Sequence, residues 1–63
     1  MRGRDVIEIC KMHVRGRWIV EVRYRDGSAR EVAFADERSA TDATFMVETL
    51  FPKADVIEAG ELK

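Results

Sequence analysis

Apolar and polar residues follow a period of two in the first half of this chain and a helical period in part of its second half. From Asp5 to Val14 the chain is rich in β-branched residues. From Trp18 to Arg25 apolar residues point one way and charged residues the other, as in a strand with one buried face. These two segments predict two consecutive β-strands.

The second and third strands are predicted to be joined by a three-residue loop, Arg25-Asp26-Gly27, in which glycine supplies the positive φ of a bulge. A two-residue Asp-Gly turn would set Val22 opposite Glu31 and mix apolar with charged side chains on one face, so the three-residue loop is favoured. The predicted pairs are Tyr24–Ser28, Val20–Val32 and Trp18–Phe34.

The same reasoning at Val14-Arg15-Gly16 predicts a three-residue loop that pairs His13 with Arg17. The first three strands then form an antiparallel meander. Its continuous apolar face is predicted to consist of Cys10, Met12, Trp18, Val20, Val32 and Phe34.

After Phe34 the period becomes helical. Ser39 to Asp42 is similar to a capping box, with Asp36 as the competing N-cap, and Pro52 is predicted to end the helix. The apolar residues at helical spacing, expected to cover the sheet, are Ala43, Met46, Val47, Leu50 and Phe51. The segment Val56–Ala59 before Gly60 predicts a short last strand at a sheet edge.

The element order β-β-β-α-β predicts a two-layer α+β fold: a three-stranded antiparallel meander, one helix and a short C-terminal edge strand. Sixty-three residues suffice for one small domain, so residues 1–63 are expected to form a single unit. The content of 46% hydrophobic and 37% charged residues is typical of a globular chain.

Charge is distributed unevenly along the chain, although the net charge is only −1. Residues 1–30 carry eight basic against four acidic residues, whereas residues 31–63 carry three against eight. The N-terminal segment lacks the apolar core of a secretory signal, and no apolar run approaches the roughly 20 residues of a membrane span. With a single cysteine as well, we expect a cytoplasmic protein that does not enter a membrane.

The residue inventory argues against an enzyme. Cys10 and His13 lie three apart on a strand, so their side chains should point to opposite faces and form no dyad. One cysteine and one histidine fall short of a zinc site, and the isolated glycines form no phosphate loop. Glu21 and Glu31 should face each other as part of a mixed-charge surface. No catalytic residue, metal or cofactor is therefore predicted.

A basic surface is predicted on the sheet or its turns, away from the helix, formed by Lys11, His13, Arg15, Arg17, Arg23 and Arg25. The run from Gly16 to Ser28, followed by a third strand and a helix, resembles the sheet-reading DNA-binding domains of phage integrase arms and plant AP2-type factors. The resemblance covers about half the chain and implies a sheet lying in a DNA major groove. Glu21 and Glu31 on the same face oppose contact with phosphates.

An apolar surface is predicted on the same side of the sheet, where Ile7, Ile9 and Ile19 lie beside Ala33. Exposed isoleucines in this number indicate an interface with another protein or a second copy, with arginines as its polar rim. A bulge near Ile9 is the alternative, because it would turn one or two isoleucines inward. The predicted partner-binding residues are Ile7, Ile9, Ile19, Arg15, Arg17, Arg23 and Arg25.

The leading hypothesis is a non-enzymatic protein-protein interaction module, of the size class of small phage or mobile-element accessory and inhibitor proteins such as anti-CRISPR proteins. Its partner would be another protein or complex, and a homodimer is also expected. An alternative contact surface is acidic and consists of Asp36, Glu37, Asp42 and Glu48. The alternative function is a sheet-reading DNA-binding module that uses the arginine-rich face.

Overall fold

The computed structural model describes the backbone of residues 5–62 and the side chains of residues 5–58. It contains strands β1 (Val6–Val14), β2 (Arg17–Tyr24) and β3 (Ala29–Phe34), helix α1 (Glu37–Leu50) and strand β4 (Asp55–Leu62). Within the described part of the chain, no helix has the length and apolar character needed to cross a membrane.

The four strands form one sheet in the order β3-β2-β1-β4. Strands β1, β2 and β3 form an antiparallel meander, and β4 pairs in parallel with β1. Helix α1 crosses one side of the sheet between β3 and β4, which allows β4 to enter in the same direction as β1. The predicted β-β-β-α-β order and α+β class are confirmed, with the last strand at a sheet edge.

The second hairpin has the predicted register. Val20 lies opposite Val32 and Trp18 opposite Phe34. The Tyr24 N–H donates to the Ser28 carbonyl at 2.9 Å, and Gly27 has a φ of 94°. The Asp26 carboxylate accepts hydrogen bonds from the Ser28 N–H and hydroxyl, which fixes the loop.

The first hairpin departs from prediction by one residue. Val14, not His13, lies opposite Arg17, so the loop contains only two residues. Arg15 and Gly16 both have positive φ, 50° and 78°, as the two central residues of a type I′ turn require. An arginine in this conformation is uncommon. The longer loop was predicted by analogy with the second hairpin, and that analogy does not hold here.

The shift exchanges the two faces of β1. Ile9 lies opposite Val22 and is fully buried, with 0% of its surface exposed, so the prediction that Ile9 is an exposed contact residue is wrong. A register irregularity between Val6 and Glu8 makes Ile7 the extra residue of a bulge and allows Val6 and Ile9 both to face the helix. A bulge near Ile9 is therefore present as the alternative foresaw, but it turns Val6 inward, whereas Ile9 is buried by the two-residue first turn.

Other β1 residues change face with Ile9. Cys10 and Met12, predicted beneath the helix, lie opposite Glu21 and Ile19 on the other side of the sheet. Lys11 and His13, predicted away from the helix, share its side because they pair with Val20 and Trp18. The expectation that Cys10 and His13 point to opposite faces is confirmed, since they lie an odd number of positions apart.

The hydrophobic core lies between the helix and the sheet and is small. The buried hydrophobic residues are Val6, Ile9, Val20 and Ala40, with a surrounding layer of partly buried residues that includes Trp18, Val22 and Phe34. Lys11 is buried at the margin of this core. Its Nζ donates to the Thr41 hydroxyl at 3.0 Å and to Glu37 at 3.4 Å, so the buried ammonium is satisfied.

The helix begins with Asp36 as its N-cap, so the capping box predicted at Ser39 is wrong. The Ser39 N–H donates to Asp36 Oδ1 at 2.8 Å. The helix ends at Leu50, as predicted from Pro52. Its sheet-facing residues include Ala40, Thr44 and Val47.

Met46 and Leu50 were expected to pack on the sheet, and this expectation is also wrong. Both side chains are exposed. Ala40 and Thr44 occupy the sheet-facing positions instead, so the apolar stripe of the helix is rotated away from the one predicted.

Replacing Ile9 with alanine tests the observed register. The change Ile9→Ala should lower the free energy of unfolding by about 2–5 kcal/mol, because it leaves a cavity beneath the helix. The matched change Ile7→Ala, at a bulged residue that is 41% exposed, should cost about 0.5 kcal/mol. Urea denaturation followed by circular dichroism measures both. Equal effects would contradict this register.

The Asp36 cap predicts an acid-dependent loss of stability. The Ser39 backbone and side chain, by hydrogen bonding to Asp36, lower the pKa of that carboxyl below its ordinary value of 3.8. Its stabilising contribution is therefore present above 3.8 and lost as the pH falls through the lower, folded-state value. Asp36→Asn keeps a capping acceptor without a charge.

Urea midpoints measured from about pH 6 to about pH 2.5 should show the wild type more stable than Asp36→Asn at the upper end and no longer so at the lower end. A difference between the two proteins that is independent of pH would show that the ionised carboxylate does not contribute to the cap.

Candidate functional site

The side of the sheet opposite the helix, here called the open face, has no other described element packed on it. An apolar row crosses it from Ala33 on β3 through Ile19 on β2 to Met12 on β1. The next row contains Glu31, Glu21, Cys10 and Ile57, from β3 to β4. The open face therefore combines an apolar row with acidic neighbours.

The four arginines predicted to bind a partner are distributed over the open face and the ends of β2. Arg23 projects on the open face and forms an ion pair with Glu8 at 3.3 Å, while Arg25 follows β2 and pairs with Asp5 at 3.3 Å. Arg17 shares the open face and Arg15 occupies the hairpin turn. Two of the four are thus already matched by carboxylates.

The three predicted isoleucines do not form one patch. Ile19 is half-buried at the centre of the open face, and Ile7 is exposed at the β1 bulge. Ile9 is removed from the surface altogether. The apolar component of the open face instead comes from Ile19 together with Met12 and Ile57. Met12 was predicted beneath the helix because the predicted first hairpin is one residue out of register, and the parallel β1–β4 pairing that places Ile57 beside Cys10 was not predicted.

Cys10 lies half-buried on the open face between Glu8 and Glu21. Burial raises the pKa of the Cys10 thiol above its ordinary value of 9.0, and the negative charges of Glu21 and Glu8 raise that pKa further. The thiol is consequently held in its protonated, weakly nucleophilic form at neutral pH. This environment is the reverse of the one that activates a catalytic cysteine.

The most exposed large apolar side chains lie on the helix. Phe45, Met46 and Leu50 are each between 65 and 73% exposed, and with Thr49 they line one shallow depression. We call these four residues the helix patch. Successive helical residues are separated by about 100°, so the helix patch lies on the side away from the sheet-facing Ala40 and Thr44.

The sequence did contain a signal for the helix patch. Ala40, Ala43, Thr44 and Val47 alone complete one sheet-facing stripe at helical spacing. Phe45, Met46 and Leu50 are apolar residues in excess of what that stripe requires. The prediction assigned Met46 and Leu50 to the core and left Phe45 unassigned.

The four acidic residues proposed as an alternative surface have separate environments. Asp36 caps the helix, and Glu37 contacts the buried Lys11. Asp42 and Glu48 are exposed on the helix. Two of the four are thus engaged within the fold, so they do not form one uniform acidic patch.

Two of the six basic residues proposed for a DNA-reading sheet also have local roles. His13 stacks on Trp18 with ring centroids 4.1 Å apart and the planes within 3°, and the Lys11 Nζ lies 5.6 Å from a Trp18 ring centroid. Both lie on the helix side of the sheet. On the open face, Glu21 and Glu31 are directly opposite each other, as predicted.

Comparisons with protein-family models, with curated proteins and with solved structures found no match to this chain.

The Cys10 environment predicts slow alkylation. At about pH 8, iodoacetamide should modify Cys10 in the folded protein more slowly than in the urea-unfolded chain, because the raised pKa lowers the thiolate fraction. Glu21→Gln removes one of the negative charges that raise this pKa and should accelerate the reaction. Mass spectrometry over time measures the rates, and equal rates in folded and unfolded chains would contradict this environment.

Proposed function

We propose that this chain is a non-enzymatic protein-binding module that contacts a larger protein chiefly through the helix patch. The observation that carries the proposal is the exposure of Phe45, Met46 and Leu50, three large apolar side chains that lie side by side and more than half in solvent. A contiguous apolar group of this kind on a small domain is typical of a binding surface.

The energetics support binding through this surface. Full burial of a side chain such as leucine, methionine or phenylalanine contributes about 1.5–3 kcal/mol. Aromatic and methionine side chains are enriched at the centres of protein interfaces, where a few residues supply most of the affinity. Arg38 and Asp42, exposed on the preceding turns of the same helix, provide a rim of both charges.

The geometry of the helix patch supports one kind of partner. Phe45, Met46, Thr49 and Leu50 occur at positions i, i+1, i+4 and i+5, so they form a stripe along the second half of α1. A stripe on a helix fits an apolar groove in the partner, with the charged rim outside it. Binding of this kind needs no catalytic group and would act by occupying or remodelling a surface of the larger protein.

The open face supports the same class of function less strongly. Its apolar residues Ile19 and Met12 are half-buried by their neighbours, whereas the helix patch is mostly in solvent. The DNA-binding alternative receives less support, because Glu21 and Glu31 lie at the centre of the open face and Arg23 is paired with Glu8. Carboxylates in that position would repel phosphates.

Substitution of the helix patch tests the proposal. Phe45→Asp should leave the fold intact, since the side chain is exposed, and should weaken partner affinity by about 30-fold or more, the effect of losing a central interface residue. A partner captured from the native host by the wild type is purified, and the affinity of each variant for it is measured by calorimetry.

Two variants on the sheet serve as matched controls. Ile7→Asp alters an exposed isoleucine outside the helix patch, and Ile19→Asp alters the open face. Both should bind the partner like the wild type. Loss of binding in Ile19→Asp with full binding in Phe45→Asp would transfer the interface to the open face and overturn the helix patch.

The DNA-binding alternative has a separate readout. A DNA mobility shift that is salt-sensitive, and that is abolished by Arg23→Glu combined with Arg25→Glu, would favour it over the protein-binding proposal. We expect no such shift at physiological salt.

A further inference from the structure

We propose that a second copy of this chain binds along the outer edge of β3, antiparallel to it, with a two-fold axis that passes beside Val32. The eight strands of the two copies would then form one continuous sheet with both helices on the same side. This inference concerns a different surface from the helix patch and does not depend on it.

The outer edge of β3 offers a set of backbone hydrogen-bonding groups. β3 is the outermost strand of the sheet on its side. The Tyr24 N–H donates to the Ser28 carbonyl, and hydrogen-bonded pairs alternate along an antiparallel ladder. Arg30, Val32 and Phe34 therefore direct their backbone groups toward β2, whereas Glu31 and Ala33 direct theirs outward, where another strand could receive them.

The side-chain surface beside this edge is incomplete. Val20 and Val32 lie directly opposite each other on the helix side of the sheet, yet Val20 is 3% exposed and Val32 is 47% exposed. The helix thus covers Val20 on β2 but leaves Val32 on β3 largely exposed. A further strand beside β3 would bury the Val32 side chain and extend the small core of the monomer.

The charges on β3 restrict how two copies can pair. In a joined sheet with both helices on one side, two residues that lie opposite each other across the contact between the copies project to the same side of the sheet. Pairing centred on Arg30 sets it against Arg30 of the second copy, and pairing centred on Glu31 sets that glutamate against its own counterpart. Like charges directly opposite each other are destabilising, so both registers are disfavoured.

Pairing centred on Val32 avoids both conflicts. Val32 then faces Val32 of the second copy, Glu31 faces Ala33, and Arg30 faces Phe34, where the guanidinium can lie against the ring. Residues 30–34 of each copy pair, which uses most of the strand. Among registers that keep the helices together, this one has the longest overlap without opposed like charges.

The dimer has a consequence for binding. Its two helix patches lie on the same side of the joined sheet, so one partner with two sites, or two linked partners, could contact both. Such double contact raises apparent affinity without any new interaction within each site.

Sedimentation equilibrium tests the association itself. We expect the mass to rise with concentration from 7.2 kDa toward twice that value. A mass that stays at 7.2 kDa up to about 1 mM protein would overturn the proposal. A dimer with a dissociation constant well above about 1 mM would leave most chains monomeric and the edge of β3 unpaired.

Oppositely charged substitutions test the register. Val32→Glu and Val32→Lys should each be monomeric, because the two-fold axis sets each new charge against itself. An equimolar mixture of the two should form a heterodimer, seen by native mass spectrometry. This pattern is expected when residue 32 faces its own counterpart across the two-fold axis. Dimers of either variant alone, or a mixture that stays monomeric, would overturn the register.

Proline substitutions test the edge without altering side-chain charge. Ala33→Pro removes an N–H that points outward and is not bonded to β2, so the fold should persist while the dimer is lost. Ala29→Pro removes an equivalent N–H outside the paired residues 30–34 and should still dimerise. Circular dichroism confirms that both variants are folded.

The proline results also separate this inference from the proposed function. A dimer that survives Ala33→Pro but dissociates in Phe45→Asp would overturn edge pairing and assign self-association to the helix patch. A monomeric wild type that still binds its partner through Phe45 would overturn edge pairing alone.

Discussion

The register between β1 and β2 is the constraint on which the rest of the structure depends. The two-residue turn at Arg15 and Gly16 decides which side of β1 faces the helix, because side chains alternate along a strand and a shift of one residue exchanges them all. In this register Ile9 enters the core and Lys11 meets Thr41 and Glu37 beneath the helix. The same shift sends Cys10 and Met12 to the open face.

In that register, few hydrophobic residues are fully buried between the helix and the four-stranded sheet. Val6, Ile9, Val20 and Ala40 are the buried hydrophobic residues of the described chain. Small domains bury a smaller fraction of their surface than large ones, so a fold of this size gains much from any surface that a partner covers. The helix patch and the exposed Val32 on β3 are two surfaces whose burial by a partner would add to the stability of the fold.

The chemistry of the described side chains supports a structural interpretation of the polar groups that first suggest a site. The Lys11 ammonium is satisfied by a hydroxyl and carboxylates, and His13 stacks on Trp18. The Cys10 pKa is raised by burial and by neighbouring carboxylates, which suppresses its reactivity. Among the described side chains, Phe45, Met46 and Leu50 are the most exposed large apolar groups.

The sequence by itself determined the element order, the β2–β3 register and the end of the helix before Pro52, because these depend on local signals: alternation, an Asp-Gly loop and a helix breaker. Tertiary structure decided which face of β1 is buried, since both faces are partly apolar and only packing against the helix and the strained Arg15 turn distinguish them. It likewise decided the helix patch. The helix carries more apolar residues than one stripe needs, and only those on the side that packs against the sheet are covered.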